Sequence, residues 1–373
     1  LQKDIAKKTT LTVDGNALFD QNDYKLALAL KRENFGYVKF DFNEFGTWYN
    51  GAGGYYPPTG MQYQLGNDSL MLRRGSYAVE AGLTLKDLPK FVFKYSHSFR
   101  DGDKSSTIWG PVHPDLTTTV AGVTPTLLNV NESVDSYALD VTHHLFKTDF
   151  GVGVRYDTAS LVDTRYETLW QGEPVQRDVT DKQANAYDMF NAHAFSETWF
   201  KRNLLLSVGY SFANLNDTFT GNRTYGNDFN VAYNPNPLNG LGYISLNGGA
   251  HEQEHVANVN LMVVPVKNLT IVPSLRVQSD SWDASSSGIG TLGTSTGPFT
   301  STSDGGTLEV RECVDARYTG VTNWVYYAGA QLTEGDGNLN QNGGLSQVNG
   351  FGVPPVQSQI NNTYWFQKYL IGA

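Results

Sequence analysis

Apolar and polar residues alternate over much of this chain. In Tyr37-Val38-Lys39-Phe40-Asp41-Phe42-Asn43, the residues Val38, Phe40 and Phe42 share one face and Lys39, Asp41 and Asn43 the other. An extended strand points successive side chains to opposite faces, so this period of two predicts a strand with one apolar side. The same pattern places Val79, Ala81 and Leu83 against Ala78, Glu80 and Gly82, and Phe91, Phe93 and Tyr95 against Lys94, Ser96 and Ser98. It returns in Tyr137, Leu139 and Val141, in Leu204 to Phe212, and in Leu269, Ile271, Leu275 and Val277. Helical spacing accounts for none of these segments as well.

The connections alternate too. Tight turns are predicted at Lys86-Asp87-Leu88-Pro89, Lys147-Thr148-Asp149, Lys201-Arg202-Asn203, Val266-Lys267-Asn268 and Gly320-Val321-Thr322-Asn323, recurring roughly every 55 to 65 residues. Between them lie polar stretches at 101–133, 158–185, 214–252, 283–306 and 334–357, rich in Gly, Asn, Ser, Thr and Asp, which read as long loops. Short turns on one side and long loops on the other are the rule in transmembrane β-barrels. The fold predicted is all-β: an antiparallel up-and-down transmembrane β-barrel, a meander of about 14 strands. The last residues, Gln367 to Ala373, stop within or just after a strand and lack a terminal aromatic. The chain, 1–373, is therefore read as one barrel domain, incomplete at its C-terminus and part of a larger barrel.

Composition sharpens this picture. Charged residues make up 17% and aromatics 13%, against about a quarter charged in ordinary soluble domains. Mean hydropathy is −0.36, because polar positions mask the apolar ones that alternate with them. A membrane helix needs about 20 apolar residues, and the longest apolar run is Leu261 to Val266. Net charge of −10 argues against a nucleic-acid partner. The single cysteine, Cys313, excludes an intrachain disulfide framework and covalent c-type haem attachment, which needs Cys-x-x-Cys-His. The chain opens at Leu1 in a polar stretch and is read as a mature or trimmed form of an exported protein.

Several motifs imitate chemistry. His251-Glu252-Gln253-Glu254-His255 matches H-E-x-x-H, but zinc binding requires that motif on a helix. Here it runs into the alternating segment His255 to Leu261, where four residues span about 13 Å, too far for one metal. Gly288-Ile289-Gly290-Thr291-Leu292-Gly293 matches G-x-G-x-x-G without the helix that a dinucleotide site needs. His143-His144 lies on a strand with its rings on opposite faces. Cys313 shares parity with Glu309, Arg311, Asp315 and Arg317, and is taken as a bystander thiol. Glu312 takes the parity of the lipid side, which marks a rim position or a register shift. No catalytic constellation, metal site or resident cofactor is expected.

The charges on the polar parity are the candidate functional residues. Lys39, Asp41, Lys94, Asp140, Arg155, Arg276, Arg311, Asp315 and Arg317 are expected to face the barrel lumen, while Phe40, Phe42, Val79, Leu83, Leu139, Val208, Ile271 and Leu275 face lipid. In a small barrel such charges neutralise one another. In a large one they line water or grip a plug.

Four segments carry a resemblance to a known family. Phe99-Arg100-Asp101-Gly102-Asp103-Lys104-Ser105-Ser106-Thr107-Ile108-Trp109-Gly110 resembles a segment of MtrB/PioB-type outer-membrane β-barrels. His193-Ala194-Phe195-Ser196-Glu197-Thr198, Asn268 to Arg276, and Tyr318-Thr319-Gly320-Val321-Thr322-Asn323-Trp324 are similar to segments of the same family. The likeness runs from about residue 36 to the end. It implies the porin component of an electron conduit: a large barrel, about twice this length, that sheathes a periplasmic multihaem c-type cytochrome and lets electrons cross the outer membrane of a Gram-negative bacterium. Some members carry an N-terminal Cys-x-x-Cys, which this chain lacks.

Two functional readings follow from the sequence. One is a non-enzymatic sheath whose partners are the lipid bilayer and a cytochrome in the lumen. The other is a passive diffusion porin for small polar solutes. A secreted β-rich hydrolase ranks well behind both.

Overall fold

A computed structural model of the chain describes residues 1–51, 54–56, 61–63, 69–112, 120–166, 179–225, 242–292, 295–343 and 356–373. It is an all-β antiparallel meander. The strands are β1 (Gln2–Ala6), β2 (Thr9–Leu18), β3 (Asp23–Arg32), β4 (Gly36–Asn50), β5 (Gly54–Tyr56), β6 (Met61–Tyr63), β7 (Ser69–Leu83), β8 (Lys90–Val112) and β9 (Val120–Leu145). They continue with β10 (Thr148–Tyr166), β11 (Val179–Lys201), β12 (Leu204–Tyr225), β13 (Gly242–Val266), β14 (Leu269–Leu292), β15 (Ser295–Tyr318), β16 (Tyr326–Gly343) and β17 (Val356–Gly372). β5 and β6 form a small separate hairpin, and the other 15 strands make one sheet in sequence order. Among the described residues the one helical turn is Phe19–Gln21, and no helix is long and apolar enough to cross a membrane.

The count differs from the 14 strands that alternation predicts. β1 is the addition: all five of its residues are exposed, so no apolar face announces it. Nor is the sheet closed, because β1 and β17 each pair on one side only. The polar stretches read as long loops are largely strand. The segment 283–306 is the plainest correction, since β14 and β15 stay in register from Leu269↔Tyr318 up to Leu292↔Ser295. A ladder needs only backbone groups, so Ser, Thr and Gly on both faces do not prevent pairing.

Tight turns gather at one rim. Phe146-Lys147 joins β9 to β10, Arg202-Asn203 joins β11 to β12, and Lys267-Asn268 joins β13 to β14. Most of this rim's turns need one residue in the left-handed region, supplied by Lys8, Asn34, Asp87, Asn268 and Asn323. Asn and Asp tolerate that conformation best after Gly. Phe146 adopts it as well, with φ of 57°.

Register carries one apolar row from strand to strand. Leu28 opposes Phe40, Phe40 opposes Val79, and Val79 opposes Tyr95. Tyr95 opposes Tyr137, which opposes Tyr156, which opposes Phe190. Farther along, Val208 opposes Val259 and Val259 opposes Leu275. This face is half-buried to exposed: Val208 and Leu275 are both 40% exposed, and Val154 and Phe93 on the same face 44% and 45%. Among the described residues, apolar burial is confined to small clusters such as Leu72, Leu128 and Val130 with Tyr49.

The apolar band is short compared with the strands. On β12 it runs from Leu204 to Phe212, and on β14 from Leu269 to Val277, about nine residues from the tight-turn rim. That matches the 9–11 tilted residues needed to cross a bilayer. Beyond the band the same face turns polar, with Asn214, Asn216 and Thr218 on β12 and Ser279, Ser281 and Asp283 on β14. β14 has 24 residues, about 80 Å of strand, so more than half of it extends past the hydrocarbon. Tyr95, Tyr137, Tyr156 and Tyr210 mark the upper boundary. Tyr95 donates to Asp135 at 2.7 Å and Tyr156 to Asp188 at 2.7 Å, as aromatics do where a lipid face meets water.

Glu312 interrupts the band between Leu275 and Leu332 with no register shift across β14 and β15. This gives a test of the lipid face. Val208→Arg, flanked by Ser196 and Val259, is expected to cost about 2–4 kcal/mol in urea unfolding from vesicles. Leu275→Arg places its guanidinium across from Glu312 and should cost less, and adding Glu312→Leu should raise its cost to that of Val208→Arg. A Val208→Arg chain as stable as the wild type would take that face out of hydrocarbon.

Candidate functional site: the charged face of the sheet

The face opposite the apolar row carries all nine charged positions singled out by parity. Lys39 and Asp41 lie on β4, Lys94 on β8, Asp140 on β9 and Arg155 on β10. Arg276 lies on β14, and Arg311, Asp315 and Arg317 lie on β15. Every one faces away from Phe40, Val79, Leu139, Val208 and Leu275, because neighbours in register share a face.

The register groups these charges with partners that sequence reading did not name. Lys39 opposes Glu80 and Glu80 opposes Lys94, so one carboxylate stands between two ammonium groups. Glu80 accepts from Lys39 Nζ at 3.0 Å and from the Tyr37 hydroxyl at 2.7 Å. Asp140 reaches across β10 to His193 on β11, with 3.5 Å between Oδ1 and Nε2. Gly153, directly between them in register, makes this possible. A Cβ there would strike both the Asp140 carboxylate and the His193 ring.

Arg155 donates through Nε to Asp157 at 2.9 Å, and Asp157 is 2% exposed. Arg276 and Arg311 oppose each other directly, an unfavourable like-charge pair. Each guanidinium is drawn to an acceptor on its own strand. Arg276 donates to Gln278 at 2.9 Å, and Gln278 to Asp280. Arg311 donates to Glu309 at 2.8 Å, which also accepts from Tyr364 at 2.9 Å. Asp315 opposes Gly329, and Arg317 opposes Thr270 and Tyr327. Asp41 lies between Ala27 and Ala78. The nine positions thus do not form one cluster. They are spread around the sheet: Lys39, Asp140, Arg155 and Arg311 meet groups of opposite charge or a histidine, whereas Asp41, Asp315 and Arg317 oppose uncharged residues.

The motifs that imitate chemistry lie in strand. His251 and His255 are both on β13 and face the apolar side. His251 contacts Asp283 and Asn214, and His255 the Tyr210 hydroxyl at 2.7 Å. His143 stacks edge-on against Phe150, and His144 meets Asp149 on the other face at 2.7 Å. Of the glycine motif, 288–292 belong to β14 and position 293 lies outside the described residues. Cys313 is half-buried between Ser274 and Gln331. Among the described residues no group of His, Cys, Asp and Glu could hold a metal ion.

A second feature escaped sequence reading. The tight-turn rim is strongly basic: Lys7, Lys8, Lys31, Arg32, Lys86, Lys147, Lys201, Arg202 and Lys267 lie in or beside its turns, against Glu33, Asp87 and Asp149. In a chain of net charge −10, that places the acidic surplus elsewhere. The signal was present in most of the turns, but only the meander gathers them onto one edge.

No family model and no curated protein matches the chain. Among solved structures it is similar to the ferric yersiniabactin uptake receptor FyuA from Yersinia pestis, at 12% identity and a TM-score of 0.48, over 93% of this chain and 59% of that one. It is similar to the ferric citrate transporter FecA at 10% identity and 0.44, over 94% and 57%, and to the ferric-catecholate import receptor Fiu from E. coli K12 at 9% and 0.41, over 100% and 78%. The chain thus spans less than two thirds of the length of FyuA and FecA. The chain's own geometry, rather than these distant likenesses, defines its class. Long antiparallel strands, an uncovered apolar band of bilayer width and an opposite charged face make an outer-membrane β-barrel meander. That fold places the chain in the outer membrane of a Gram-negative bacterium.

Arg155→Ala tests the local balance. It leaves the Asp157 carboxylate buried without its guanidinium and is expected to cost about 1–3 kcal/mol in unfolding. Arg155→Ala with Asp157→Asn should recover most of this, whereas Lys39→Ala, at an exposed pair, should cost less than about 1 kcal/mol. Equal costs at the two sites would contradict the burial difference.

Proposed function

We propose that this chain is the wall of a large outer-membrane β-barrel that sheathes a folded, polar partner, with a periplasmic multihaem c-type cytochrome as that partner. The nine charged residues face the interior in this reading, and further strands close the sheet between the edges of β1 and β17. One observation carries it: charges of both signs lie on one face of the sheet between β4 and β15, several of them paired locally. Such a face suits a docked protein surface better than it suits an ion path, which uses rings of one sign. Strand length supports the same reading. A passive pore needs only the 9–11 residues that cross the bilayer, whereas these strands continue for a comparable distance beyond it and lengthen the sleeve. The resemblance of the segment Phe99 to Gly110, and of the others noted above, gives the partner its chemical identity.

The chain itself does no redox chemistry in this proposal. Electrons crossing some 30 Å of hydrocarbon need closely spaced centres, and one cysteine cannot attach haem. The sleeve excludes lipid from the partner and holds it upright. The test is purification of the native complex from outer membranes. Haem absorbance co-eluting with the barrel is expected, with conductance in planar bilayers appearing only after the partner is stripped. A haem-free preparation that conducts as isolated would overturn the sheath in favour of a diffusion porin.

A further inference from the structure

A concavity of about 470 Å³ opens on the apolar face at the tight-turn rim, between β3, β4, β7 and β8. This volume lies within the range of ligand pockets. Its walls are Leu30, Val38, Leu83, Phe91 and Phe93, with Phe35 at the rim end. It exists because Ala81 supplies little bulk on this face between its register neighbours Val38 and Phe93. At its rim end β4 and β7 approach closely: a Cβ at Gly36 would run into the carbonyl oxygen of Gly82.

The mouth of this groove is cationic. Arg32 is exposed, on the same face as Leu30, with its guanidinium 5.5 Å from the Phe35 ring centroid. That contact leaves the guanidinium hydrogens free to donate. The neighbouring carboxylate, Glu33, pairs with Lys8 at 3.4 Å, and among the described residues Arg32 has no carboxylate partner. The rest of the rim adds to the same positive field.

We propose that this groove is a binding site for an anionic phospholipid, with one acyl chain between the β3 and β8 walls and the headgroup phosphate on Arg32. The chemistry selects this occupant. A peptide would bring backbone polar groups into an apolar groove that cannot pair them, since all four strands already have neighbours on both sides. An amphiphile with an apolar tail and an anionic head has nothing left unsatisfied. The site rests on the reading that the tight-turn rim lies at the membrane boundary, where basic side chains attract anionic lipid.

The experiment reconstitutes the full chain in vesicles of equal phosphatidylcholine and phosphatidylglycerol. It then extracts the chain in mild detergent and measures the retained lipid by mass spectrometry. The wild type should retain phosphatidylglycerol preferentially. Arg32→Ala should lower that preference about fivefold, the ratio equivalent to about 1 kcal/mol per cation near an anionic surface, and Arg32→Lys should keep most of it. Ala81→Trp, on the exposed face, should fill the groove and reduce the total lipid retained while leaving the rim charges in place. Flotation with the vesicles separates the two readings. A chain that does not float overturns the membrane assignment. A chain that floats but shows no preference, or keeps it in both variants, overturns the site. Loss with Arg32→Ala but not with Ala81→Trp reduces the contact to rim charge and overturns the groove.

Discussion

Hydrocarbon offers no water to a backbone amide, so every N–H and C=O at membrane depth must find a partner within the protein. The rest of this architecture depends on that constraint. It demands that each strand pair on both sides, and a meander with sequence neighbours side by side is the simplest connection that does so. From Leu269↔Tyr318 to Leu292↔Ser295 the ladder runs without a break even where side chains supply no cohesion. At the outer edges of β1 and β17 the strands pair on one side only.

Once pairing is fixed, the period of two does the remaining sorting. The face of Phe40, Val79 and Val208 is left largely without cover because lipid is its solvent, which is why buried apolar residues are few among the described residues. The opposite face can then hold charge, much of it paired across or along the strands. Glu80 between Lys39 and Lys94, and Arg276 and Arg311 tethered to Gln278 and Glu309, are two solutions to the same problem of placing many charges on one face.

Much of this was legible in the residues themselves. The segment Tyr37 to Asn43 announces its strand, its two faces and the direction of Lys39 and Asp41, because lipid and water impose opposite demands on adjacent positions. β1 was not legible, since all its side chains are exposed and nothing alternates. The Ser/Thr/Gly stretch at 283–306 was misread as a loop for the complementary reason. In water both faces of a hairpin may be polar, so pattern vanishes while pairing persists. The contact of Asp140 with His193 depends on three strands coming into register over Gly153, and no one-dimensional reading contains that information. The basic rim shows the same limit: the cations are visible singly, their shared edge is not.

The overshoot of the strands has a dynamic consequence. Within the band, an amide that opens meets hydrocarbon and closes again. Past Phe212 or Val277 an opened amide meets water that can take its place, and both faces of the sheet are wet. Each hairpin therefore has a stiff end at its turn and a soft end at its loop. Amide protection should fall along every strand in that direction, the order in which locally weak regions open before the whole. Fraying then starts at the loop rim and stops where the tyrosines stand, leaving the outer part of the wall compliant enough to adjust to what it meets while the inner part holds its shape.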